Sequence, residues 1–210
     1  PKWEVVNPNP QALTVGGGNL TLTSSTGDVR GASFSAQNIL LQEVPSGPWT
    51  ATAKFDHRAI ALNGQAAGMV VYGQQNPNYF AKVAVQYKNN DLSGNPMNGI
   101  WAERALTSNG TANTQYGGEF PNTGKLAPTS NDLWLRVSFD GTNVTTEYSY
   151  DGQTFATIAP PHPATAYGPN GVTKIGLFTK HDSGGAAANV SYDSFTVTAD
   201  SCGGGDTTPA

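Results

Sequence analysis

Two Asp-Gly dipeptides, Asp140-Gly141 and Asp151-Gly152, stand between runs in which apolar and polar residues alternate. Before the first, Leu133, Leu135, Val137 and Phe139 alternate with Trp134, Arg136 and Ser138. Between the two, Val144, Thr146, Tyr148 and Tyr150 alternate with Thr145, Glu147 and Ser149, and Phe155 begins the return. A period of two puts successive side chains on opposite faces of a strand, and Asp-Gly supplies the sharp turn that reverses the chain. Residues 133–158 are therefore predicted to be a three-stranded antiparallel meander.

The same period recurs upstream, where Trp49, Ala51, Ala53 and Phe55 alternate with Thr50, Thr52, Lys54 and Asp56. Further strands are predicted at 19–24, 38–43, 66–73, 78–87, 99–104, 173–179 and 189–198. Segments rich in Gly, Asn and Pro separate them, and no stretch joins a cap to ten residues with an apolar stripe. Only 12% of the residues are charged, while 25 Gly and 14 Pro are present. That is the balance of short strands joined by tight turns. A dozen short strands without helices make an all-β fold, either a two-sheet sandwich or a barrel.

One domain is expected over residues 1–200. From Ser201 to Ala210 the chain reads SCGGGDTTPA, too poor in apolar side chains to repay ordering, which predicts a flexible interdomain linker. Pro1 is not a natural start, so a longer chain is expected. Cys202 is the single cysteine, which rules out an internal disulfide. The net charge is −4 and Lys and Arg do not cluster, so neither nucleic acid nor an anionic membrane surface is an expected partner. No apolar run approaches the ~18 residues of a spanning helix.

Catalysis by paired carboxylates is not expected. Glu103, Glu119 and Glu147 each lack a second carboxylate nearby on the same strand face, and the three histidines accompany no Gly-x-Ser-x-Gly elbow. Metal-ligand spacings of the zinc and EF-hand types are also missing. Four Trp and eight Tyr could supply sugar platforms, which need an exposed ring and a polar rim. Trp49 shares a face with Ala51, Ala53 and Phe55 and reads as core. Trp134 shares its face with Arg136 and Ser138, which leaves it as either a ligand platform or an indole capping the outer surface. Strand parity pairs Trp101 with Glu103. Lys82, among Val83, Ala84 and Val85, needs a carboxylate or a route to water, and Glu103 is its candidate partner; a buried ion pair is the alternative. The clusters Asp56-His57-Arg58 and His181-Asp182 read as turn chemistry at strand ends.

Several phrases then converge on one family. They are Asn38-Ile-Leu-Leu-Gln42, Pro45-x-Gly47-x-Trp49, Gln65-Ala-Ala-Gly-Met-Val-Val-Tyr72, Asn78-Tyr-Phe-Ala-Lys82, Trp134-Leu-Arg136, Tyr148-Ser-Tyr-Asp-Gly152, Ile175-Gly-Leu-Phe178 and Val190-Ser-Tyr-Asp-Ser-Phe-Thr-Val197. In this order they resemble the concanavalin A-like sandwich appended to bacterial β-xylosidases and sugar dehydrogenases. The resemblance implies a two-sheet antiparallel β-sandwich (jelly roll) and a secreted, bacterial, extracellular accessory module, expected to be monomeric. It implies polysaccharide or oligosaccharide and an attached catalytic domain as partners. Tyr72, Lys82, Trp101, Glu103 and His181 would line the sugar-binding face, with Trp134 as the further candidate. It also implies one structural Ca²⁺, held by Asp193 with Asn7 or Glu4. Two rival readings remain: a module that only packs against its catalytic neighbour, and a hydrolase with an unrecognised site. Gly68 would let two backbones approach, or leave a face open for a ligand.

Overall fold

The computed structural model describes residues 3–29, 34–73, 76–88, 97–106, 114–119 and 131–200, with backbone alone for 76–78, 88, 97–98, 103–106 and 114–119. The expected linker at 201–210 lies outside these residues, as do the side chains of Glu103 and Glu119.

The described residues form fifteen strands. In chain order these are β1 (Glu4–Val6), β2 (Leu13–Gly16), β3 (Asn19–Thr23), β4 (Ser25–Thr26), β5 (Ile39–Glu43), β6 (Trp49–Asp56), β7 (Ala66–Gly73) and β8 (Asn76–Lys88). There follow β9 (Met97–Leu106), β10 (Thr114–Glu119), β11 (Asp132–Phe139), β12 (Asn143–Ser149), β13 (Ala156–Pro163), β14 (Val172–His181) and β15 (Asn189–Ala199). They build two sheets. The first has eight strands in the order β1-β5-β14-β7-β8-β9-β10, with β4 beside β14; the second has seven, in the order β13-β12-β11-β6-β15-β3-β2. Except for the short parallel β4–β14 pair, all pairings are antiparallel. The fold is the expected two-sheet sandwich.

The sheets close over one core. Trp49, Ala51, Ala53 and Phe55 of β6 and Leu133, Leu135 and Val137 of β11 meet Met69, Val71, Val83, Val85, Ile175 and Leu177 of the other sheet. Trp49 is therefore core, as its alternation predicts. Tyr192 reaches across: its hydroxyl accepts from Gly68 N–H at 3.0 Å and donates to Phe178 O at 2.7 Å.

The meander forms as read, and its turns show why Asp-Gly is needed. Asp140 Oδ1 accepts from the amides of Thr142 and Asn143, both at 2.7 Å, and Gly141 takes φ +99°. Asp151 Oδ1 accepts from Ser149 Oγ and from the amides of Gln153 and Thr154, all at 2.8 Å, while Gly152 takes φ +72°. In each turn the carboxylate caps the amides and glycine supplies the left-handed residue. The return strand begins at Ala156, later than Phe155, and runs on through Pro160, Pro161 and Pro163. It is an edge strand, where a missing N–H breaks no ladder.

These bonds hold the exposed Asp151 carboxyl down to about 2, through the Thr154 amide first, then the Gln153 amide and the Ser149 hydroxyl. The folded value lies below the ~3.9 of an unfolded chain. The turn's contribution is thus present above pH ~4 and is lost as pH falls toward the folded value. A carboxyl NMR titration should place the Asp151 midpoint near 2. A midpoint at the unfolded value would show that the turn is not made this way.

Candidate functional site

The outer face of the eight-stranded sheet is where the resemblance places the sugar site. Register brings four of the six candidates onto that face. Tyr72 pairs with Phe80, Val70 with Lys82, Ala84 with Trp101, and Lys82 with Glu103. Tyr72, Lys82, Trp101 and Glu103 therefore share one side of β7, β8 and β9, with Lys82 directly opposite Glu103.

That face is not an open platform over β7. Val29 and Ala36, from the segment joining β4 to β5, pack with Ile39, Leu41, Val70, Tyr72, Phe80 and Phe178 into a second apolar cluster, and Phe34 leans against it. The Phe34 and Tyr72 rings meet edge to face at 5.6 Å. Tyr72 is 2% exposed, and its hydroxyl donates to Val29 O at 2.5 Å. Burial, and then the Asp28 carboxylate, push its phenol well above the usual range. Trp101 is 6% exposed and Lys82 only 2%. Lys82 Nζ donates to Gln86 Oε1 at 3.3 Å. Beside it Lys180 lies 2.7 Å from Asp182 Oδ1 and 3.9 Å from Asp28 Oδ1. Burial first, then the Lys82 ammonium, draw Lys180 down; the two carboxylates oppose them.

The remaining two candidates lie elsewhere. His181 ends β14 with both ring nitrogens engaged, Nδ1 with Ser24 Oγ and Nε2 with Thr26 Oγ1, each at 3.0 Å. Trp134 is on the outer face of the seven-stranded sheet, half-buried. Lys54 Nζ stands 5.2 Å from its ring centroid, and a Cβ at Gly152 would lie 2.9 Å from its Cε2. Of the two readings of Trp134, the indole capping its neighbours fits these contacts.

Several of the described carboxylates are paired with cations. Glu147 bonds Arg136 at 2.7 Å, and Lys54 joins Asp193 at 2.6 Å and Asp132 at 3.1 Å. Hydrogen bonds that the Lys54 ammonium donates to Asp193 and then to Asp132 hold it above its ordinary range. Asp56 caps the single turn His57–Ala59 by accepting from Arg58 N–H at 3.0 Å, which is turn chemistry as expected.

The residues expected to hold Ca²⁺ do not make a cradle for it. Asp193 faces Lys54, Glu4 is paired with Lys174, and Asn7 turns its amide nitrogen toward Ala36 O at 3.1 Å. Asn7 follows the edge strand of one sheet, while Asp193 sits on β15 of the other. Among the described residues no three His, Cys, Asp or Glu gather as a metal site.

Sequence reasoning missed another feature. A groove of about 420 Å³ opens between the two sheets, lined by Trp3, Val5, Val15, Leu20, Leu177 and Phe195 among others. Trp3, Val5 and Val15 are three of the four large apolar side chains exposed among the described residues. The Trp3 and Phe195 rings stack tilted at 5.3 Å. The spacing of Trp3 and Val5, and of Leu13 and Val15, was the available signal. It marks shared faces without saying whether they are covered.

Comparison with known proteins gives the frame for these observations. The sequence pattern of the β-xylosidase C-terminal concanavalin A-like domain matches residues 2–198. Among solved structures, the GH43 protein BlXynB from Bacillus licheniformis superposes with a TM-score of 0.70 at 19% identity, over 94% of this chain and 37% of that one. A GH43 protein of a xyloglucan locus in Bacteroides ovatus does so with a TM-score of 0.69 at 16% identity, over 94% and 36%. A functionally unknown Saccharomyces cerevisiae protein aligns along 96% of its own length, with a TM-score of 0.58 and 16% identity. At these identities the likeness is one of fold. No curated protein matches the chain by sequence. The chain spans little more than a third of the two hydrolases it superposes on.

Proposed function

The chain belongs to the β-xylosidase C-terminal concanavalin A-like domains, and from this we propose that it is a non-catalytic accessory module that supports a glycoside-hydrolase domain by packing against it. The observation that carries the reading is the filled outer face: Tyr72 and Phe80 lie under Val29 and Phe34, where a sugar platform needs exposed rings. Engagement of Asp132, Asp193, Glu147, Asp182 and Asp56 by Lys54, Arg136, Lys180 and Arg58 supports a role outside the chemistry. An exported, extracellular location is part of the same proposal, and detection of the full-length protein in the culture medium tests it.

The test is kinetic. The enzyme with and without this module is compared on a small soluble aryl glycoside, for which polysaccharide targeting is irrelevant. A supporting module predicts a fall in kcat/KM of about tenfold or more on deletion, because slight misplacement of catalytic groups is costly. Unchanged kinetics on the small substrate, with loss only on insoluble polysaccharide, would defeat this reading.

Carbohydrate binding by the module itself is the second reading. It is favoured by Trp101, Lys82 and Glu103 falling on one face across β8 and β9. Affinity electrophoresis on xylan and related glycans tests it; no retardation on any glycan removes it.

A further inference from the structure

We propose that the groove between β1 and β2 is the docking surface for the catalytic domain that precedes this module in its family; the inference rests on the supporting role above and locates it. The two sides of the sandwich differ. On one side the sheets meet, because β10 of one touches β13 of the other, and prolines stud β13. On the other, the edge strands β1 and β2 stand apart, and the groove runs between them. Its walls are apolar, and Val15 is 76% exposed. Edge strands of natural sheets are usually protected by charge, proline or cover, and apolar patches left open mark interaction sites. Here β2 reads Leu-Thr-Val-Gly, with neither charge nor proline.

The occupant follows from the family's architecture. These domains are C-terminal, so the hydrolase polypeptide joins the module at its N-terminal end. At that end Trp3 stacks on Phe195 and forms the groove wall. A preceding domain is thus tethered beside the open apolar mouth, and the tether raises its effective concentration there. A complementary apolar element of that domain, seated between β1 and β2, would cover Val5, Val15 and Trp3 together.

Hydrogen exchange on the full-length enzyme and on the isolated module tests this, with Val15→Asp as the variant. Val15 projects into solvent and packs little, so the substitution leaves the isolated module folded; unchanged thermal unfolding of the isolated variant checks this. Leu62→Asp, exposed but outside the groove, is the control. The expected result is at least tenfold slower exchange in β1 and β2 in the full-length enzyme than in the isolated module. Val15→Asp should abolish that protection and Leu62→Asp should leave it intact. Equal exchange in both contexts overturns the proposal. So does self-association of the isolated module in sedimentation at tens of micromolar that Val15→Asp abolishes, which would make a second copy the occupant. Perturbation of the same amides by xylo-oligosaccharides also overturns it. The two readings fail separately: deletion that harms kinetics while the groove stays unprotected removes only the docking surface. A protected groove with unharmed kinetics removes only the supporting role.

Discussion

Gly68→Ala is expected to cost on the order of 4 kcal/mol, a large share of the ~5–15 kcal/mol that holds an ordinary domain folded. A Cβ at this position would lie 2.2 Å from Val83 O and 2.7 Å from Ala84 Cα, both backbone atoms of the neighbouring strand β8. They cannot yield without breaking the β7–β8 ladder, which pairs Gly68 with Ala84. Leu135 Cδ1, at 2.9 Å, blocks the way toward the other sheet. The residue also holds φ +156°, which side chains of L configuration rarely adopt. Any shift would disturb the hydroxyl of Tyr192, which bonds Gly68 and Phe178 across the core. The matched control is Gly16→Ala, where nothing lies within 4 Å and φ is not left-handed. That change should be neutral, or stabilising by about 0.5 kcal/mol through a less flexible unfolded chain. Urea denaturation of the two variants decides it. If Gly68→Ala keeps the parent midpoint, the backbones do not approach as described.

Gly68 also shows how far the residues alone could lead. A glycine inside an apolar strand signals either a close backbone approach or a ligand-facing gap, and only the position of β8 selects the first. The Asp-Gly turns were legible because the carboxylate cap and the left-handed glycine are local chemistry. The alternation of β6 and β11 was legible because one face is core and the other polar. In β7 every residue from Ala66 to Gly73 is buried, so no polar parity separates the faces. That continuous apolar run is itself the mark of a strand covered on both sides. Placing Tyr72 at an open sugar face gave it too little weight. On β15, Val190 and Tyr192 point inward, and so do Phe195 and Val197, because a bulge between Tyr192 and Ser194 changes the parity. Asp193 is thereby left on the exposed side beside Lys54, away from Asn7. The groove was illegible for a related reason: Trp3, Val15 and Phe195 are far apart in sequence, and apolar strand residues look the same whether covered or open.

Phe80→Ala is expected to destabilise the module by about 3–5 kcal/mol, the cost of truncating a buried core aromatic. Phe80 is fully buried, yet it lies on the face of β8 turned away from the core between the sheets. Its companions are Tyr72, Val70, Phe178 and Ile39, roofed by Val29 and Ala36. If the outer face were an open ligand platform, the same truncation would remove little buried surface and cost below about 1 kcal/mol. The value measured by chemical denaturation therefore discriminates between the two accounts of this face. The order of opening should discriminate as well. Among the described residues, the roof is held by the amides of Ser35 and Ala36 to Asp28 O, at 3.0 and 3.1 Å, by the Asn7 amide to Ala36 O at 3.1 Å, and by the Tyr72 hydroxyl to Val29 O. Removing Phe80 takes away the apolar floor on which that segment rests. The Ser35 and Ala36 amides should then lose hydrogen-exchange protection before those of the β11–β12 hairpin, whose packing lies in the other core. Simultaneous loss everywhere would mean that the second cluster is not a separate cooperative layer, and that the roof unfolds only with the whole sandwich.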